Sequence, residues 1–418
     1  MNLINKIKKI IYKLLKKSEK WTKTDMIYLA KGGFWLTLGQ GFSSLSAFLL
    51  AIAFANLLPK ETYGTYKYIM SIVALLAIPT LSGMNTAIVQ AVARGYEGSV
   101  IPAFKTKVRW GLLGGLASLA LAGYYFFNDN STLSIAFLIA SVFAPFMDSF
   151  LVYDAYLVGK KNFKKQSNNN IIIRIASTLT IITVIFLSNN IFLIISSYFT
   201  AHTILRIIFF KITFWKNKLN NKTDGKMISY GKHLSLMDIF STISFYMDKL
   251  LLFHFFGAYE LAVYSIAIAP TEQMKGLIKT INSLILPKIS SSNIPEIKKN
   301  IWNKIIKMIF ILFLLFLTYI LIAPFVFKIF FPMYLESVIY SQIFSFSIVL
   351  AGPIFILITI LKAGKETKKL YKFNILSPIF NIIITFILIY KFNIMGAVMA
   401  KSINYLFNLI FLKRINKI

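Results

Sequence analysis

The sequence predicts an all-α polytopic membrane protein, with about twelve transmembrane helices in two pseudo-symmetric six-helix lobes. Three observations predict it. The 418 residues are 57% hydrophobic and 16% aromatic, with a mean hydropathy of +0.69, which no soluble domain approaches. The apolar residues fall into about twelve runs long enough to cross a hydrocarbon core of roughly 30 Å. Short motifs then recur about 200 residues apart at equivalent places in the topology, as expected of an internal duplication. Leu57-Leu58-Pro59-Lys60-Glu61-Thr62-Tyr63-Gly64 is echoed from Phe255 onward, and Val158-Gly159-Lys160 is echoed by Ala363-Gly364-Lys365.

Residues 1–30 place Leu3, Ile4, Ile7, Ile10 and Ile11 at helical spacing with lysines between them. A signal peptide needs an unbroken apolar core, so this segment is expected to be a basic amphipathic helix on anionic inner-leaflet lipids. Residues 31–214, the N-lobe, carry expected spans at 32–58, 66–91, 108–127, 133–158, 171–187 and 191–214. Residues 215–229, with Asn-Asn-Lys-Thr-Asp-Gly in the middle, are expected to be a flexible cytoplasmic linker. Residues 230–418, the C-lobe, carry spans at 234–256, 262–286, 305–331, 338–361, 373–390 and 394–411. Because six is even, the second lobe enters the membrane in the same orientation as the first, with a cavity between them.

The loops test this count. Alternate loops hold Lys105, Lys160, Lys222, Lys298 and Lys368, and the C-terminal end holds Lys413, whereas the opposite set has little more than Lys60 and Lys391. By the positive-inside rule both termini of this multi-pass protein are expected to be cytoplasmic. The short outer loops exclude a large external catalytic domain. The net charge of +31 is spread over these loops, so no nucleic-acid partner is expected. With no cysteine and only three histidines, neither a disulfide framework nor a metal or cofactor site is expected.

Charges inside the spans carry the functional signal, since each costs roughly 2.5–3.5 kcal/mol at mid-membrane unless it faces protein or water. The seventh span contains Asp238, Asp248, Lys249 and His254, and the eighth contains Glu272, Lys275 and Lys279. Treated as an antiparallel hairpin turning at residues 257–261, they place Asp248, Lys249 and Glu272 about 10–15 Å from the outer end and Asp238 and Lys279 near 26 Å. Two readings stand: structural ion pairs at both levels, or the wall of a translocation cavity. Arg174 and Asp154 fall at similar depth and could pair, while Asp148 has no evident partner. Pro79, Pro270 and Pro353 mark bends.

Several stretches resemble bacterial polysaccharide flippases of the O-antigen (Wzx) type, within the multidrug/oligosaccharidyl-lipid/polysaccharide (MOP) exporter superfamily. They are residues 54–66 (Phe-Ala-Asn-Leu-Leu-Pro-Lys-Glu-Thr-Tyr-Gly-Thr-Tyr), residues 83–94 from Gly83 to Arg94, the Asp248-Lys249 pair before Phe256-Gly257, and Ala269-Pro270-Thr271-Glu272-Gln273. The resemblance implies a MATE-like fold and a non-enzymatic flippase. Its cargo would be an undecaprenyl-pyrophosphate-linked oligosaccharide, and its partners other glycan-assembly membrane proteins. A pyrophosphate needs fixed cations, and Lys249, Lys275, Lys279, Arg94 and Arg174 are the candidates, with Arg109 and Arg206 also near inner span ends. Snorkelling to the interface is the competing reading for the arginines. Asp248, Glu272 and His254 could couple transport to protons, and Trp35, Tyr246 and Tyr264 could stack on sugars. A MATE-like drug exporter and a membrane enzyme of glycan assembly are the alternatives.

Overall fold

The computed structural model describes residues 26–216, 218–290, 294–364 and 366–416. Of the expected N-terminal amphipathic segment 1–30, residues 1–25 lie outside them and residues 26–30 begin the first helix. Every regular element described is helical: α1 (Met26–Leu57), α2 (Lys60–Leu76), α3 (Gly83–Ala93), α4 (Val100–Phe127), α5 (Ser131–Met147), α6 (Val152–Gly159) and α7 (Phe163–Leu187). There follow α8 (Ile191–Lys216), α9 (Met227–Phe256), α10 (Ala258–Ser290), α11 (Ile294–Phe330), α12 (Ser337–Ala363) and α13 (Thr367–Asn416). Long helices are what a membrane imposes, because they satisfy every backbone donor and acceptor internally.

Among the described residues, nine helices are long and apolar enough to cross a membrane, or ten if α2 and α3, bent by 41°, form one span. The bend falls where a 3-10 turn containing Pro79 is followed by Leu81 at φ 60. The remaining expected spans have two physical explanations. Helix α13 has 50 residues and holds two spans, divided at Asn393, whose φ of 51 breaks the helical backbone. Helix α10 falls short on apolarity because Glu272, Lys275 and Lys279 interrupt it. Pro270 and Pro353 lie inside α10 and α12, which continue through them.

Packing is densest within 26–216 and within 227–416. In the first half α4 lies against α5, α1 against α7 and α3 against α6. In the second, α10, α11 and α13 surround α12, whose spanning window is 72% buried where every other is 39% or less. The main contacts between halves are those of α1, α2 and α3 with α9 and α10.

The two faces of the bundle differ. Toward the lysine-poor loops one apolar core joins both halves, with Phe54, Tyr63 and Ile69 packed among Leu252, Leu261 and Phe327. There Lys60 donates to Glu336 at 2.6 Å and to Tyr259 at 3.0 Å, and Gly64 sits so close to the Ala258 carbonyl that no side chain would fit. Toward the lysine-rich loops the apolar cores are separate, one around Met84 and Tyr153 and the other around Ile305 and Ile360. The halves meet there through polar contacts, Ser82 Oγ on Asp238 and the Gly83 N–H on Ser235 Oγ, both at 3.1 Å, and through apolar ones, with Met84 against Gly231 and Met227 of α9 in the first core.

The segment between α8 and α9 is tied down where sequence composition suggested flexibility. The Gly98 N–H donates to the Lys222 carbonyl, Asn220 Nδ2 to the Gly95 carbonyl, and Arg94 pairs with Asp224 at 2.6 Å. The Gly, Asn and Asp that signalled a turn are here used to make side-chain and backbone hydrogen bonds.

Candidate functional site

The seventh and eighth spans do not form the expected hairpin of paired charges. A single residue, Gly257 at φ 91, separates α9 from α10, and the helices part beyond it. Helix α9 packs on α13 and α3, while α10 packs on α12, α2 and α1. The side chains that engage Asp238 and Asp248 of α9 therefore include ones from outside this pair of helices, Ser82 and Lys401. Asp238, exposed, accepts from Ser82, and Lys279, also exposed, lies near Lys362. The expected Asp238–Lys279 layer is absent.

The remaining charges of this stretch divide into two groups. Asp248 is 1% exposed, ion-paired to Lys401 of α13 at 3.2 Å, and accepts the hydroxyl of Tyr264 in a short hydrogen bond. Glu272 pairs with Lys275 one turn along its own helix at 2.6 Å. Lys275 is buried, donates to the Tyr405 hydroxyl at 3.2 Å, and lies 4.1 Å from the Phe344 ring centroid. It is thus held inside the second half of the protein. Lys249 is the exception: among the described residues it makes no ion pair, and its ammonium lies over the rings of Tyr246 and Phe245 at 5.2 and 5.6 Å.

Lys249 faces a cavity. A chamber of about 430 Å³ is bounded by α2, α5, α8 and α9, with Tyr66, Lys67, Asp148, Tyr198, Tyr246 and Lys249 in its wall. A second chamber of about 280 Å³, between α1, α2, α9 and α10, is lined by Leu50, Phe54, Ile268, Ala269 and Glu272. Tyr66, Lys67 and Lys249 line both chambers and so stand at their boundary. Lys67 and Lys249 each lie seven residues from the lysine-poor end of their helices, about 10 Å along the axis. Like Lys249, Lys67 has no carboxylate partner among the described residues and sits over a tyrosine ring, Tyr63 at 5.1 Å.

The other expected site residues lie elsewhere, except Asp148. Asp148 does have a partner: Arg206 Nη1 lies 3.3 Å from its Oδ1 and donates to the Met147 carbonyl at 2.6 Å. Arg206 is accordingly an interior residue rather than one reaching for the interface. Asp154 accepts from Gln166 and Asn170, not from Arg174, which is exposed on α7 without an ion pair among the described residues. Arg94 is engaged by Asp224 at the lysine-rich face, and His254 is exposed near the turn, edge-on to Phe255 at 5.0 Å. Of the expected stacking residues, Tyr246 lines the cavity, Tyr264 is wholly buried on Asp248, and Trp35 carries the Lys164 ammonium over its ring at 5.4 Å.

Sequence reasoning missed Lys67, Lys401 and Lys107. Lys67 sits in the apolar run Tyr63 to Met70, but placing the span start at Tyr66 put it at a helix end. Lys401 lies seven residues inside the twelfth expected span and carried the same signal as Lys249. Lys107 was assigned to a loop because the third span was begun at Val108. Helix α4 starts at Val100, which buries Lys107 completely, with its ammonium on Asn85 Oδ1 at 3.1 Å.

Comparison with known proteins agrees with this architecture. The polysaccharide biosynthesis protein family matches residues 29–293. The lipid II flippase MurJ in its inward closed conformation is similar in fold, with a TM-score of 0.68 at 17% identity over 92% of this chain and 87% of that one. MATE in complex with MaD5 gives 0.66 at 12% identity over 93% and 96%, and a MOP superfamily transporter from Pyrococcus furiosus gives 0.61 at 13% over 93% and 95%. No curated protein sequence matches the chain. With its helical bundle, its internal charged cavity and a family match over most of its length, this multi-pass membrane protein belongs to the polysaccharide biosynthesis protein family and has the fold of MOP superfamily transporters.

Proposed function

We propose that the protein is a flippase that moves an undecaprenyl-pyrophosphate-linked oligosaccharide, such as an O-antigen or capsule repeat unit, from the cytoplasmic to the outer leaflet of the bacterial inner membrane. The observation that carries this reading is the pair Lys67 and Lys249. Two ammonium groups face a cavity inside the bundle, and the neighbouring carboxylates are engaged by other cations, Asp248 by Lys401, Glu272 by Lys275 and Asp148, in the same cavity wall, by Arg206. Such cations await an anion from outside the protein, and a diphosphate provides charge-assisted hydrogen bonds for both.

The bundle suits movement by alternating access. The two lobes, 31–214 and 230–418, would rock about the larger apolar core shared at the lysine-poor face, while the joint at the lysine-rich face, made of Ser82–Asp238, Gly83–Ser235 and the smaller Met84–Met227 contact region, opens. In this reading both termini and the 215–229 segment are cytoplasmic, no cofactor takes part, and no bond is made or broken. Lys275 and Arg94 serve architecture, and only Lys249 of the five cations expected from sequence meets the cargo.

Similarity to MATE supports a drug exporter as a second reading. Cationic drugs would be repelled by the two lysines, which favours the flippase. Deleting the gene and locating the lipid-linked glycan separates the two. Accumulation on the cytoplasmic leaflet is expected, and normal glycan display with altered drug resistance would refute the proposal.

A further inference from the structure

Glycines mark points where the two halves come closest. At the lysine-poor face, Gly64 of α2 lies so near Ala258, the first residue of α10, that a methyl group on it would overlap the Ala258 carbonyl oxygen. At the lysine-rich face, a methyl on Gly83 of α3 would lie 2.5 Å from the Ser235 backbone nitrogen and 2.6 Å from Leu234 Cβ on α9. Across the same seam, one on Gly231 of α9 would lie 2.6 Å from Met84 Sδ. Glycine is a poorer helix former than alanine, so these positions sacrifice local helix stability to close approach. The obstacles differ in kind. Ala258 and Ser235 present backbone, which yields only if a helix moves, whereas Met84 first presents the end of a flexible side chain. Gly276 of α10 also faces the first half, but meets only the Gln40 amide at 3.0 Å.

Polar contacts latch both seams, Lys60 on Glu336 and Tyr259 at one and Ser82 on Asp238 at the other. The larger chamber is lined by residues 66–77 and 242–249, which lie between Gly64 and Gly83 in one half and between Ser235 and Ala258 in the other. We infer that Gly64 and Gly83 are the seals of two doors, one at each end of the cavity, and that a single methyl at either holds that door ajar while the other stays shut. The inference rests on the alternating-access flippase reading and adds what sets the balance between its states, the helix-to-helix distance at two points. Rigid-body rocking parts the lobes at one end without disturbing the packing inside either lobe. Close-packed surroundings resist any local accommodation of the methyl. Gly64→Ala therefore favours a form open at the lysine-poor face and Gly83→Ala one open at the lysine-rich face, each by about tenfold or more. Gly231→Ala acts like Gly83→Ala but less, and Gly276→Ala moves neither door.

The chain has no cysteine, so spin labels can be placed singly. Purified full-length protein in nanodiscs carries them at Asn189→Cys and Lys391→Cys for the lysine-poor face, or at Lys105→Cys and Lys368→Cys for the lysine-rich face, exposed positions on opposite halves. Double electron–electron resonance reads each distance distribution. Gly64→Ala is expected to raise the long-distance population about tenfold at the first pair alone, and Gly83→Ala at the second pair alone. No widening in either variant, widening at both ends together, or loss of folded protein in both variants overturns the seals, because doors that part leave each lobe intact. Gene deletion tests the flippase reading separately. Glycan accumulating on the cytoplasmic leaflet alongside unwidened ends would sink the doors alone, and normal glycan display alongside widened ends would sink the flippase alone.

Discussion

Two pairs of lysines at membrane depth have opposite surroundings. Lys275 and Lys401 are enclosed in the second half of the protein, each within 3.2 Å of a carboxylate and each over aromatic rings. Lys67 and Lys249 stand over tyrosine rings too, yet no carboxylate reaches them and a cavity opens in front of them. Burial with a partner makes a charge part of the architecture. Burial without one, against an open cavity, leaves it available to a ligand.

The comparison is broken most directly at the cavity pair. Lys67→Ala combined with Lys249→Ala should abolish glycan display while membrane abundance stays normal, and Arg at either position should retain part of the activity. Immunoblotting of membranes beside glycan staining checks this, and full display in the double variant would remove the lysines from the transport path.

At the enclosed pair the expected effect falls on stability. Lys401→Ala strands the fully buried Asp248, and breaking such a pair costs about 3–5 kcal/mol, so abundance should drop sharply. Lys401→Met together with Asp248→Asn should recover it. Lys275→Ala should act in the same direction but less, because Glu272 is 35% exposed and can be solvated. Adding Glu272→Gln should restore display; continued loss at normal abundance would move Lys275 to the substrate's side of the comparison.

The smallest effect is expected at Lys60 and Glu336, a pair at the lysine-poor face with Glu336 43% exposed. A double-mutant cycle with alanine should give a coupling of about 0.2–1 kcal/mol in thermal unfolding. Its value is the contrast with Lys401: a coupling above about 3 kcal/mol would mean that this face is sealed as tightly as the interior.

Sequence reasoning found Lys249 and Asp248 because a charge deep in an apolar run stands out whatever surrounds it. It misplaced Lys67 and Lys107 because both lie within a turn or two of a span boundary, and hydropathy locates such boundaries only to within a few residues. It misassigned the partners of Asp238, Asp248 and Asp154 because it paired charges by depth on neighbouring helices. The actual partners come from residues distant in the chain, such as Lys401 and Ser82, or from amides such as Gln166 that carry no charge signal.

By itself the sequence determined that the chain is a bundle of membrane-spanning helices with lysines gathered at alternate loops. Those properties follow from local composition: apolar runs of sufficient length must be helical in a membrane, and loop charges are read directly along the chain. Only the tertiary structure decided which lysines are paired and which are open, because the divergence of α9 from α10 after Gly257 hands Asp248 to α13 and turns Lys249 toward α2. That choice depends on how the helices fill space together, and the period of one helix carries no record of which neighbour it will meet.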